Sequence, residues 1–82
     1  MKRTYRGLSL EIKEKPEKFV IIVQDKEGYK QGYEASKADR NEKIRILAEA
    51  KNWLWNMGDY NGQANEMMRK YHLEWEQLLG LQ

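Results

Sequence analysis

Residues 44–79 read IRILAEAKNWLWNMGDYNGQANEMMRKYHLEWEQLL, and the spacing of their apolar side chains decides the fold. In the second half, Ala64, Met67, Met68, Tyr71, Trp75, Leu78 and Leu79 recur at i, i+3, i+4, i+7, i+11, i+14 and i+15. That spacing keeps them on one face of a helix. In the first half, Ile46, Leu47, Ala50, Trp53, Leu54 and Met57 form a matching stripe, with Ile44, Ala48 and Trp55 to either side. This helix is apolar over a wide arc, which predicts contact with more than one surface. The expectation is a first helix sandwiched between the second helix and a small sheet.

Between the stripes, Gly58 is expected to end the first helix in the left-handed conformation. Asp59-Tyr60-Asn61-Gly62 then supplies turn residues and an N-cap for the second helix. So short a link forces an antiparallel or steeply crossing hairpin. The run from Ala48 through Met57, the Gly58-Asp59-Tyr60 turn and Ala64 to Tyr71 resembles one tetratricopeptide unit. Those units also join a small-residue helix, through a Gly-Asp-Tyr turn, to a second helix carrying an Ala and a Tyr. They stack in arrays of three or more at a period of about 34 residues, and this chain has room for one. The resemblance implies a helical hairpin and no function.

Upstream, Leu8, Leu10 and Ile12 alternate with Ser9, Glu11 and Lys13, so residues 4–13 read as a single half-buried strand. Residues 14–18 break it at Pro16, which cannot donate to a ladder. Residues 19–23 are apolar throughout and β-branched at four of five positions, the pattern of a central strand covered on both faces. Residues 25–28 make a second turn. Residues 29–35 form a third strand, with Tyr29, Gln31, Tyr33 and Ala35 on one face and Gly32 marking a bulge. Asp39 followed by Glu42, or Ser36 followed by Asp39, fits a capping box and starts the first helix at Asp39, within two residues. The predicted architecture is α+β in one domain, β-β-β-α-α. A three-stranded antiparallel meander over 4–35 precedes a helical hairpin over 39–79, with 19–23 as the middle strand.

Composition sets the limits. A chain of 82 residues is one domain, burying roughly 60% of its unfolded surface. It has no cysteine, hence no disulfide framework and no thiolate chemistry. Its longest apolar run, 19–23, is far short of the ~20 residues of a membrane helix. No signal-peptide pattern is present, so a cytoplasmic protein with no membrane partner is expected. The formal net charge is +2, and the excess lies in residues 1–18, where six Lys/Arg meet three Glu.

Catalytic and metal constellations are missing from the sequence. His72 is the only histidine, whereas metal sites need clustered ligands. No metal, cofactor or catalytic residue is assigned. As a general base His72 needs an orienting partner, and Glu76 stands at the right helical spacing; the same spacing makes an ordinary surface contact. His72 also marks a place where the second helix could bend. Asp25 with Glu27, and Asp59 with Asn61, lack the remaining ligands of a calcium loop. Gly28 and Gly32 do not make a phosphate loop.

Two features point outward. Trp53 and Trp55 lie about 200° apart around a helix, so one belongs at a boundary. The strand at 19–23 presents Phe19, Ile21 and Val23 on one face and Val20 and Ile22 on the other, and two helices cover one face only. Either flanking side chains shield Val20 and Ile22, or another chain covers them. The sequence thus predicts a small non-enzymatic protein-interaction module, an inhibitor or adaptor that binds another protein or forms a homodimer. Val20, Ile22, Trp55 and Tyr33 are the expected interface. Small cysteine-free chains of this kind are common among phage and mobile-element accessory products. The alternative is a weak nucleic-acid-binding protein that uses Lys2, Arg3, Tyr5 and Arg6 with the sheet tyrosines Tyr29 and Tyr33.

Overall fold

The computed structural model describes residues 1–58 and 62–82. Four strands, β1 (Lys2–Tyr5), β2 (Leu8–Glu14), β3 (Lys18–Gln24) and β4 (Lys30–Ser36), precede two helices, α1 (Arg40–Gly58) and α2 (Gln63–Leu79). The strands form one antiparallel sheet in the order β1-β2-β3-β4, and both helices pack on the same face of it.

The fold is α+β as expected, but the meander has four strands and not three. The chain does not run straight from residue 4 to 13. It reverses at Arg6-Gly7, whose φ angles are 50° and 88°. Two successive positive φ values make the tight turn that matches strand twist, and Tyr5 pairs with Leu8 across it. The Met1 amine donates to the Ile12 carbonyl at 2.9 Å, and the Ile12 amide donates to the Met1 carbonyl at 2.8 Å. β2 is therefore interior beside β3, and β1 and β4 are the edges. The other two turns stand where expected. Lys15 N donates to Lys18 O at 2.9 Å around Pro16. Asp25 is buried, and its Oδ1 accepts the amides of Glu27 (3.0 Å) and Tyr29 (2.9 Å). Gly32 sits in regular register opposite Ile22, so there is no bulge.

Strand alternation sends Leu8, Leu10 and Ile12 of β2 and Phe19, Ile21 and Val23 of β3 to the helical side, where all six are buried. They meet Ile46, Leu47, Ala50 and Leu54 of α1 and Ala64, Met67, Met68, Trp75 and Leu79 of α2. Each large side chain so buried contributes about 1.5–3 kcal/mol, most of it offset by chain entropy. α1 begins as its capping residues dictate. Asp39 Oδ1 accepts the Glu42 amide at 3.0 Å, and Glu42 reaches back to the Ser36 amide at 3.1 Å.

α1 is not sandwiched between α2 and the sheet. It packs on β3 and β4, while α2 lies beside it and reaches β1. Nor is Gly58 left-handed: it is the last helical residue of α1, and Gly62 carries the positive φ, 76°, that leads into α2. The expected turn at Asp59, Tyr60 and Asn61 lies outside the described residues. α2 is continuous through His72. It ends at Gly80 (φ 73°), where Gly80 N donates to Gln77 O and Leu81 N to Glu76 O. This doubly bonded helix end folds Leu81 into the core.

Candidate functional site

The wide apolar arc of α1 divides in two. Ile46, Leu47, Ala50 and Leu54 face the core. Ile44, Ala48 and Trp55, at i, i+4 and i+11, share a second line with Lys51, and all three apolar residues are exposed. Trp55 keeps 46% of its surface in solvent, whereas Trp53 packs against the core, which resolves the conflict between the two tryptophans. Leu73, on the outward side of α2, is 54% exposed.

Where the two helices meet, this arc borders a cavity of about 120 Å³. Ile44, Leu47, Ala48 and Leu81 form its apolar walls, and Lys51, His72 and Glu76 its polar side. Lys51 Nζ stands 2.6 Å from His72 Nδ1, and His72 Nε2 stands 2.9 Å from Glu76 Oε1. The Glu76 partner follows from i,i+4 spacing; Lys51, 21 residues away, comes from the antiparallel crossing of the helices. Gln82 Nε2 also donates to Glu76 Oε1, at 3.2 Å. Burial holds the Lys51 amine below its ordinary 10.5, and the Glu76 charge opposes that shift. Leu81 is held over the cavity by Arg40, whose guanidinium donates to the Leu81 carbonyl at 3.3 Å.

The other expected interface residues do not join this surface. Val20 and Ile22 lie on the outer face of the sheet, half-buried. Val20 sits between Lys13 and Glu34, and Ile22 between Glu11 and Gly32. The Lys18–Glu34 ion pair (3.0 Å) shares that face, so the neighbours of Val20 there are charged side chains whose aliphatic stems suit shielding. Tyr33 is on the opposite face, half-buried against the core at the β4 edge. Burial, then the Glu49 charge, raises its hydroxyl above 10.0.

The residues of the nucleic-acid reading are dispersed and mostly engaged. Arg3 makes a two-pronged bond to Glu74 (Nε–Oε2 2.8 Å, Nη2–Oε1 3.2 Å) and lies 5.7 Å from the Tyr71 ring centroid. Tyr5 donates its hydroxyl to Glu66, and the Arg6 guanidinium lies 5.5 Å from the Tyr5 ring. Tyr29 is exposed in the β3–β4 turn, away from Tyr33, and Lys2 is exposed on the outer sheet face. No group of metal-ligating side chains occurs among the described residues, and no helix is long and apolar enough to cross a membrane. Compared with protein-family models, curated proteins and solved structures, the chain matches none.

Proposed function

We propose that the protein is a small non-enzymatic interaction module, an inhibitor or adaptor that binds another polypeptide through the outer side of its helical layer. The observation that carries this reading is the uncovered half of the α1 arc. A helix that packs one apolar stripe on its own sheet still presents Ile44, Ala48 and Trp55 to solvent. Exposed apolar side chains aligned on one element mark contact surfaces, and Trp supplies a large share of binding energy where it is the central contact. The neighbouring Arg45–Glu49 pair supplies the charged rim such surfaces carry. On the outer sheet face, by contrast, Val20 and Ile22 are already half-shielded by their own chain.

Quantitative affinity capture from the native host, run in parallel with wild type, Trp55→Asp and Val20→Lys, tests the reading. The expected result is a partner that Trp55→Asp loses and Val20→Lys keeps. Light scattering on the same three proteins reports whether the partner is a second copy. A partner lost only by Val20→Lys moves the interface to the sheet. Salt-sensitive retention of nucleic acid, with no protein captured, overturns the reading in favour of the alternative.

A further inference from the structure

The same cavity holds chemistry that a docking surface does not require. Lys51 crosses from the middle of α1 toward α2, placing its Nζ 2.6 Å from His72 Nδ1, while His72 Nε2 meets Glu76 Oε1 at 2.9 Å. We propose that Lys51 is a carbonyl-reactive amine, and that the cavity takes a short aliphatic aldehyde which Lys51 captures as an imine. The geometry assigns each group its part. The Glu76 carboxylate holds the ring proton on Nε2, so Nδ1 turns its lone pair toward Lys51. Nδ1 then takes a proton from the ammonium, and Glu76 stabilises the resulting imidazolium. Partial burial, which already disfavours the charged form of Lys51, favours the same transfer. Ile44, Leu47, Ala48 and Leu81 line the rest of the cavity and suit an alkyl chain.

The step balances without an oxidant or reductant. The free-base Nζ forms a bond to the carbonyl carbon as the π pair moves to oxygen. His72 returns its proton to that oxygen. The nitrogen still carries two protons; one passes to the hydroxyl, water departs, and C=N closes as the protonated imine. One ammonium and one aldehyde yield one protonated imine and one water, and the protonated imine is the form that cyanoborohydride reduces.

The chain carries nine other lysines, which serve as internal controls. The full-length protein is treated with limiting butanal and cyanoborohydride, which reduces imines as they form, and labelled lysines are mapped by mass spectrometry. Lys51 is expected to react about tenfold or more faster than the median of the others, modest beside the 10²–10⁴ of a positioned acid–base group. His72→Gln, confirmed folded by its circular dichroism, is expected to abolish that preference and leave the other lysines unchanged; if it does not fold, Glu76→Gln decides on the same readout. With 2-naphthaldehyde, which is too bulky for the cavity, the preference is expected to disappear. Labelling of Lys51 at the rate of the exposed lysines overturns the proposal. So does undiminished Lys51 labelling in the folded variant, or a preference kept with 2-naphthaldehyde.

Discussion

A methyl group placed on Gly58 would stand 2.3 Å from Cδ2 of Leu8. Gly58 closes α1, and Leu8 opens β2 with none of its surface exposed, so the last turn of the helix rests directly on the sheet. The glycine is required by contact and not by a left-handed backbone. In an unobstructed helix Gly→Ala gains up to about 1 kcal/mol. Here Gly58→Ala is expected to lose about 1–3 kcal/mol by overpacking. Leu8→Ala is expected to relieve that clash, so the double variant should be less destabilised than the two single losses added together. Urea denaturation of the four proteins reads the coupling; strict additivity would mean that the two residues do not touch.

Leu54 lies mid-stripe on α1 and is fully buried. Leu54→Ala is expected to cost about 2–5 kcal/mol, because the surrounding side chains cannot all close on the space left. In a domain this small, that is a large share of the total stability. A thermal midpoint within a few degrees of wild type would show that the buried face has been misassigned.

The bond from Arg3 to Glu74 ties the β1 edge to α2. It holds the Glu74 carboxyl below its ordinary 4.5 and raises the Arg3 guanidinium further. A depressed carboxylate adds stability above its unfolded value and loses it as pH falls through the folded one. The stability advantage of wild type over Glu74→Gln is therefore expected to be present at neutral pH, to shrink below 4.5 and to vanish in stronger acid. The pair is exposed, so the effect is small and salt-sensitive. A difference that is flat with pH would show that the pair does not persist in solution.

Lys51 behaves in the opposite sense. Its amine is held below 10.5 by burial, so between its folded pKa and 10.5 the unfolded chain binds more protons, and stability rises with pH across that window. Lys51→Met removes a partly buried cation and is expected to be neutral or stabilising near pH 7. The gap between variant and wild type should then close as pH approaches 10.5. A variant clearly less stable than wild type at neutral pH would mean that the lysine is favourably paired.

What the residues disclosed about this fold depended on periodicity. The α2 stripe and the doubly apolar β3 strand were legible, because one repeating spacing governs many side chains at once. The Arg6-Gly7 reversal was not. Leu8, Leu10 and Ile12 keep their alternation on both readings, and a two-residue turn leaves little trace beyond a glycine after a polar residue. Gly58 was legible as a special position but for the wrong reason, since its neighbour Leu8 lies 50 residues away and local pattern carries no long-range contact. The same limit explains the site. Glu76 is visible from His72 because both lie on one helix, whereas Lys51 joins them only once the two helices cross. Leu81 closes the cavity only after Gly80 turns the chain back.

The side chain that decides the functional reading is Trp55. With 46% of its surface exposed and no place in the core, Trp55→Asp is expected to change stability by less than about 0.5 kcal/mol while weakening whatever assembly the α1 arc supports. The direct measurement is hydroxyl-radical footprinting of the free chain against the assembly it forms, with a captured partner or with itself. Trp55 and Ile44 are expected to lose reactivity in the assembly while Val20 and Ile22 keep theirs. Protection of Val20 and Ile22 with Trp55 unchanged would contradict it, as would a chain that stays monomeric at every concentration and captures no protein.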